Sequence, residues 1–121
     1  MARIQHLAIR SRDPDKLARY YEGVFGWTRI STSPGGGVHL TDGHINIAVL
    51  PNNGSPSGLH HIGVKIEDFQ DIDRRLADFD ERLPPMQNKR LAETRLTDPD
   101  GNQIDLSLRG FLEARPAAAG E

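Results

Sequence analysis

Two stretches of the chain repeat each other at an offset of 55 residues. Ile4-Gln5-His6-Leu7-Ala8-Ile9-Arg10 overlays Leu59-His60-His61-Ile62-Gly63-Val64-Lys65, keeping chemical type at every position but the second. The register continues, setting Asp13 over Asp68, Leu17 over Ile72 and Arg19 over Arg74. A duplicated sequence predicts two like modules, with a symmetry axis that turns each residue onto its counterpart.

Both copies alternate over seven residues, the period of a half-buried strand. Leu7 and Ile9 take one face, and His6, Ala8 and Arg10 the other. The same alternation predicts that His60 faces away from His61. A helix follows each strand. Asp13 is placed to cap the first and Pro14 to open it; Asp68 is placed to cap the second. Leu17, Tyr20 or Tyr21, and Val24 mark one helical stripe, and Phe69, Ile72, Leu76 and Phe79 the other, with Gly26 ending the first helix. Strands are then expected at Trp27 to Ser31, Val38 to Thr41 and Ile45 to Leu50 in the first half. Ala92 to Leu96 and Ile104 to Leu108 are expected in the second. Each half thus reads as strand, helix and about three strands, an α+β pattern. The predicted organisation is one domain over 1–110, with modules at about 1–52 and 57–110, a Pro/Asn/Gly/Ser-rich linker over 51–58, and a flexible tail over 111–121.

The chain has 121 residues, a length suited to one domain. Fifteen Lys plus Arg against seventeen Asp plus Glu leave a net charge of −2, without a basic run to follow a phosphate backbone. Nucleic acid is therefore not an expected partner. No apolar run is long enough for a membrane span and no signal region opens the chain, so a cytoplasmic location is expected. The absence of cysteine rules out disulfides, thiolate metal sites and cysteine nucleophiles. Any metal must be held by nitrogen and oxygen. Only 36% of residues are apolar, and the modest core this implies favours burial at a homodimer interface.

The repeat axis brings His6 and His61 to face a common space. Overlaying the last strands, Ile45-Asn46-Ile47-Ala48-Val49 on Ile104-Asp105-Leu106-Ser107-Leu108, pairs Asn46 with Asp105. An acid flanked by apolar neighbours on an inward face needs a partner or a metal. His6, His61 and Asp105, with positions left open, suit Fe(II), Mn(II), Ni(II) or Zn(II). Arg10 and Lys65 close the first strand of each half, placed to meet an anionic substrate. Asn46 is a further pocket candidate. His39 and His44 lie near turns, where solvation is expected.

With the duplicated strand-helix-strand order, a histidine in each first strand, and the segment Thr97-Asp98-Pro99-Asp100-Gly101-Asn102-Gln103-Ile104-Asp105-Leu106, the chain resembles the vicinal oxygen chelate superfamily. That group includes glyoxalase I, methylmalonyl-CoA epimerases, extradiol dioxygenases, fosfomycin-resistance and bleomycin-resistance proteins. The resemblance spans about residues 3–110. It implies a half-open, cup-shaped mixed sheet of two βαβββ modules, with one divalent metal held at His6, His61 and Asp105 and a small substrate bearing adjacent oxygens. Metal-binding members usually carry Glu at the position of Asp105, and glyoxalase-like and epimerase-like members carry a second acid at that of Asn46, an amide that cannot act as a base. The resemblance therefore leans towards a dioxygenase-like enzyme over glyoxalase I. The alternative it implies is a metal-free small-molecule binding protein of the bleomycin-resistance type.

Overall fold

The computed structural model describes residues 1–79, 87–88 and 94–112. The elements are β1 (Arg3–Ser11), α1 (Pro14–Phe25), β2 (Thr28–Thr32), β3 (Val38–Thr41), β4 (Asn46–Pro51), β5 (Gly58–Lys65), α2 (Phe69–Phe79), β6 (Gln87–Asn88), β7 (Thr94–Thr97) and β8 (Gln103–Ser107). They form two βαβββ modules in one open, mixed sheet ordered β2-β3-β4-β1-β5-β8-β7-β6. The strand bounds fall within two residues of those expected from sequence, apart from β6, an edge strand that the periodicity does not announce. Ala92, at the expected start of β7, and residues 113–121 of the expected tail lie outside the described residues. So does the part of the second module between Phe79 and β6.

The join between modules is the antiparallel pairing of β1 with β5, where His6 faces Gly63, Leu7 faces Ile62 and Ala8 faces His61. Shifted by the repeat offset, these three pairs map onto one another, so the pseudo-twofold axis passes between Leu7 and Ile62. Each central strand is flanked by the last strand of its own module, in parallel: β4 beside β1 and β8 beside β5. The register shifts between Ala8 and Ile9, so that Ile9 pairs with Leu59 and His60 falls in a bulge of β5. The linker is short. Pro51 still belongs to β4 and Gly58 to β5, and the Asn52 amide donates to the Ser11 carbonyl at 3.0 Å, closing the turn against the end of β1.

Local chemistry explains the helix ends. The Asp13 side chain accepts from the Lys16 amide at 3.1 Å, Pro14 fills the first helical position, and Gly26 ends the helix at φ 72°, a conformation that glycine adopts without strain. Ala18 of α1 is fully buried against Val38, Leu40, Ile47 and Val49, with Ile9, Leu17, Tyr21, Trp27 and Ile45 around them. The helix therefore turns a face centred on Ala18 to the sheet. Val24, placed in the stripe from sequence, is exposed, because that stripe is wider than the contact. No residue of α2 is buried, Phe79 included. Among the described residues no helix is long and apolar enough to cross a membrane.

Leu40 is fully buried under α1. Leu40→Ala should destabilise the protein by about 2–5 kcal/mol, the usual effect of removing a packed leucine side chain. Urea unfolding monitored by Trp27 fluorescence is the measurement.

Candidate metal centre

Opposite α1, the sheet carries a row of polar side chains on its cup face. His6 and His61 stand diagonally across the β1–β5 pair, and both are buried. They approach because their cross-strand partners are small: His6 lies opposite Gly63 and His61 opposite Ala8. A Cβ on Gly63 would sit 2.6 Å from His6 Cβ and 2.8 Å from Phe111 Cζ, so any side chain there must displace one of them. The two Nε2 atoms are 3.2 Å apart.

The other ring nitrogens are also engaged. His6 Nδ1 lies 2.7 Å from Asn46 Oδ1, set beside it by the parallel β1–β4 register. His61 Nδ1 lies 2.8 Å from His60 Nδ1. His60 Nε2 in turn receives Arg10 Nη2 at 3.3 Å, and Arg10 Nη1 donates to the Asn52 carbonyl at 3.2 Å. His60 was expected on the opposite face. The bulge in β5 breaks the alternation on which that expectation rests and brings its ring onto the cup side.

Asp105 Oδ2 is 3.3 Å from His61 Nε2, while Arg95 grips the same carboxylate, Nε to Oδ1 at 2.6 Å and Nη2 to Oδ2 at 3.2 Å. Asp105 is positioned from the sequence upward. The Asp98 carboxylate accepts from the amides of Asp100 and Asn102 and from Asn102 Nδ2. These bonds, led by that of the Asn102 side chain, hold it below the usual carboxylate range, and Gly101 turns the chain at φ 90° into β8. The register then corrects one expectation. Asn46 stands beside His6, and the residue beside His61 is Gln103, not Asp105, which pairs with Gly63. Asn46 therefore corresponds to Gln103, and the overlay of the last strands is displaced by two residues. Asp105, two positions on, keeps the same face.

His39, expected in solvent, is partly buried on β3 with Nδ1 3.3 Å from Asn46 Oδ1. His44 is exposed in its turn, as expected. Lys65 lies at the far end of β5 opposite Arg3, away from this cluster. Phe111, placed in the tail from sequence, is buried and stacks on His6 with ring centroids 5.0 Å apart and planes 12° from parallel. Ser107 Oγ accepts from the Gly110 amide at 3.1 Å, and Gln5 Oε1 accepts from the Phe111 amide at 3.2 Å, which delivers the ring over His6. Sequence carried little signal for Phe111 or Arg95. The small residues Ala8 and Gly63, equivalent in the repeat, were the legible trace of the paired imidazoles.

Ligands sharing an ion at about 2.1 Å stand about 3.0–3.4 Å from one another. The separations of His61 Nε2 from His6 Nε2 and Asp105 Oδ2 meet that spacing. The bond between His6 Nδ1 and Asn46 Oδ1 is of the kind that orients a metal-bound histidine. Among the described residues, however, no three His, Cys, Asp or Glu side chains form a ready-made metal site. Asp105 is clasped by Arg95, which must release Oδ2 for it to ligate. The nitrogen-oxygen donor set thus fits a divalent ion through its imidazoles, and through its carboxylate once that fork opens.

The family described as Glyoxalase/Bleomycin resistance protein/Dioxygenase superfamily matches residues 3–106, and the chain belongs to it. Solved structures share the fold at low identity. A superfamily member from Vibrio splendidus 12B01 is 15% identical, covering 88% of this chain and 97% of its own, with a TM-score of 0.61. Methylmalonyl-CoA epimerase from Mycobacterium tuberculosis is also 15% identical, covering 85% of each chain, at 0.60. BphC, a halotolerant catechol dioxygenase, is 17% identical at 0.65; the match covers 86% of this chain but 38% of the dioxygenase. No curated protein matches the sequence.

Burial is the main cause that pushes His61 down to about 4, against the opposing pull of Asp105. The unfolded imidazole, near 6.5, takes up protons that the folded one refuses. Stability should be full above about pH 6.5 and fall as the pH drops towards 4. Urea midpoints against pH should show this slope in the parent and a shallower one in His61→Gln. Gly63→Ala should lower stability by about 1–3 kcal/mol through overpacking at Phe111 and His6, read in the same assay.

Proposed function

We propose that this chain is a divalent-metal-dependent enzyme acting on a small substrate with adjacent oxygens, with His6, His61 and Asp105 as the metal ligands. The observation that carries the reading is the pair of separations at His61 Nε2, 3.2 Å to His6 and 3.3 Å to Asp105. A bound Fe(II), Mn(II), Ni(II) or Zn(II) ion would supply Lewis acidity to the oxygens of the substrate. The protein's own residues do the rest. Asn46 orients His6 through Nδ1 and offers no carboxylate to abstract a proton, which favours dioxygenase-like over glyoxalase-like or epimerase-like chemistry. His60, against His61, and His39, against Asn46, are nearby groups that can exchange a proton. Arg10 Nε and Gln103 Oε1 are buried polar atoms with no hydrogen-bond partner among the described residues. They offer one donor and one acceptor to a substrate at the Arg10 end of the cup, and Lys65 adds a cation at the far end of β5. Phe111 walls the site at His6 and excludes water from that side.

The Arg95 fork on Asp105 favours a second reading, a metal-free cup that binds a small molecule as the bleomycin-resistance branch does. The exposed Tyr20, Val24 and Phe25 on α1 support the homodimer expected from the modest core.

Anaerobic titration with Fe(II), Mn(II), Ni(II) and Zn(II), followed by elemental analysis of tag-free protein, should give one equivalent bound. Affinity should fall at least about 100-fold in His6→Ala and in His61→Ala. A parent that stays empty with all four ions overturns the metal reading and leaves the binding protein. Oxygen uptake with catechols then tests the dioxygenase lean.

A further inference from the structure

The hydrogen bonds behind His61 have a direction that can be read from one end. Arg10 has only donors to give, so where its Nη2 meets His60 Nε2 at 3.3 Å the imidazole nitrogen must accept. A neutral imidazole that accepts at Nε2 carries its hydrogen on Nδ1. His60 Nδ1 lies 2.8 Å from His61 Nδ1, a spacing that admits one hydrogen, and that hydrogen is already assigned to His60. His61 Nδ1 therefore accepts, and the proton of His61 sits on Nε2. It points between His6 Nε2 at 3.2 Å and Asp105 Oδ2 at 3.3 Å. The Asn52 carbonyl holds the other arm of the guanidinium, so the chain is anchored at the linker turn. An imidazole that accepts at one ring nitrogen is uncharged, so the same bonds hold His60 and His61 neutral.

We infer that Arg10 is a positioning residue that acts through His60 to hold His61 in the Nε2–H form, hydrogen-bonded to His6 and Asp105 until a ligand displaces that proton. The consequence for metal uptake rests on the metal reading above. An ion bound at His61 Nε2 needs the hydrogen on Nδ1, which makes His60 Nδ1 the acceptor and puts the His60 hydrogen on Nε2, donor against donor at Arg10. Arg10 thus opposes loading, and the opposition is relieved only if the guanidinium turns away from His60. The Arg10 side chain becomes a latch between the linker turn and the donor set.

Long-range nitrogen–proton correlation spectra of ¹⁵N-labelled wild-type protein report which ring nitrogen of each histidine carries hydrogen, and need no variant. The expected result is hydrogen on Nε2 of His61 and on Nδ1 of His60; hydrogen on Nδ1 of His61 overturns the inference. In Arg10→Met the His60 Nε2 shift should leave the acceptor range and average between tautomers, while Arg10→Lys, which keeps a donor, should stay close to wild type. An unchanged His60 shift in Arg10→Met also overturns it. Co(II) titration by visible absorption then separates the two claims. Arg10→Met should bind on the order of tenfold more tightly than wild type, the scale of one hydrogen bond to a charged group. Equal affinity in the two overturns the latch, whereas failure of both to bind Co(II) overturns the metal reading and leaves the tautomer assignment to decide the role of Arg10.

Discussion

The antiparallel contact of β1 with β5, with Leu7 across from Ile62, puts two copies of one strand face to face about an axis between them. Every other feature of the site depends on that register. It sets His6 and His61 diagonally on one face, gives each a small residue as cross-strand partner, and leaves each module's last strand free to lie in parallel on the outer side. A slip of β5 by one residue against β1 would send His61 to the helix side of the sheet and separate the two imidazoles. Ile9, Ile47 and Val49 lie under α1, which fixes the faces of β1 and β4 and so keeps His6 on the cup side.

Burying two imidazoles and a carboxylate on the cup face would be costly without partners. The neighbours distribute that cost. Asn46 serves His6, His60 serves His61, and Arg95 serves Asp105. Arg10 and the Asn52 carbonyl hold His60 from outside. The same partners that make the cluster stable shape its chemistry, because an orienting hydrogen bond on one ring nitrogen determines what the other can do. Arg95 and Arg10 both stabilise the ligand-free arrangement, one at the carboxylate and the other through the imidazole pair.

The two modules differ in how they are finished. α1 is sealed to the sheet through Ala18, while α2 buries none of its residues. The chain after β8 turns back at Gly110 and lays Phe111 on His6. The symmetric half of the site is thus the histidine pair with the bulge beside each, at Gln5 and at His60, and the asymmetric half is what surrounds it: Asn46 against Gln103, His60 against Gln5 in the bulges, and the aromatic wall on one side only.

The family, the two βαβββ modules, the helix caps and the inward histidines were legible in the sequence because each follows from local pattern: period-two alternation, an Asp-Pro start, a glycine stop and an offset between like strands. His60, Phe111 and Arg95 were not legible, and neither was the pairing of Gln103 with His61. A bulge arises from the fit of two strands, so it cannot be read from one strand's alternation. The last strand's register is set by its pairing with the neighbouring strand, which its own sequence does not reveal. An aromatic after the last strand packs where the fold offers room, here the space above a glycine that the repeat had already made small. The sequence by itself determined which side chains could face the cup. The tertiary structure decided which of them touch, since contact between residues 55 or 106 positions apart depends on strand register and turn length, which local propensity does not encode.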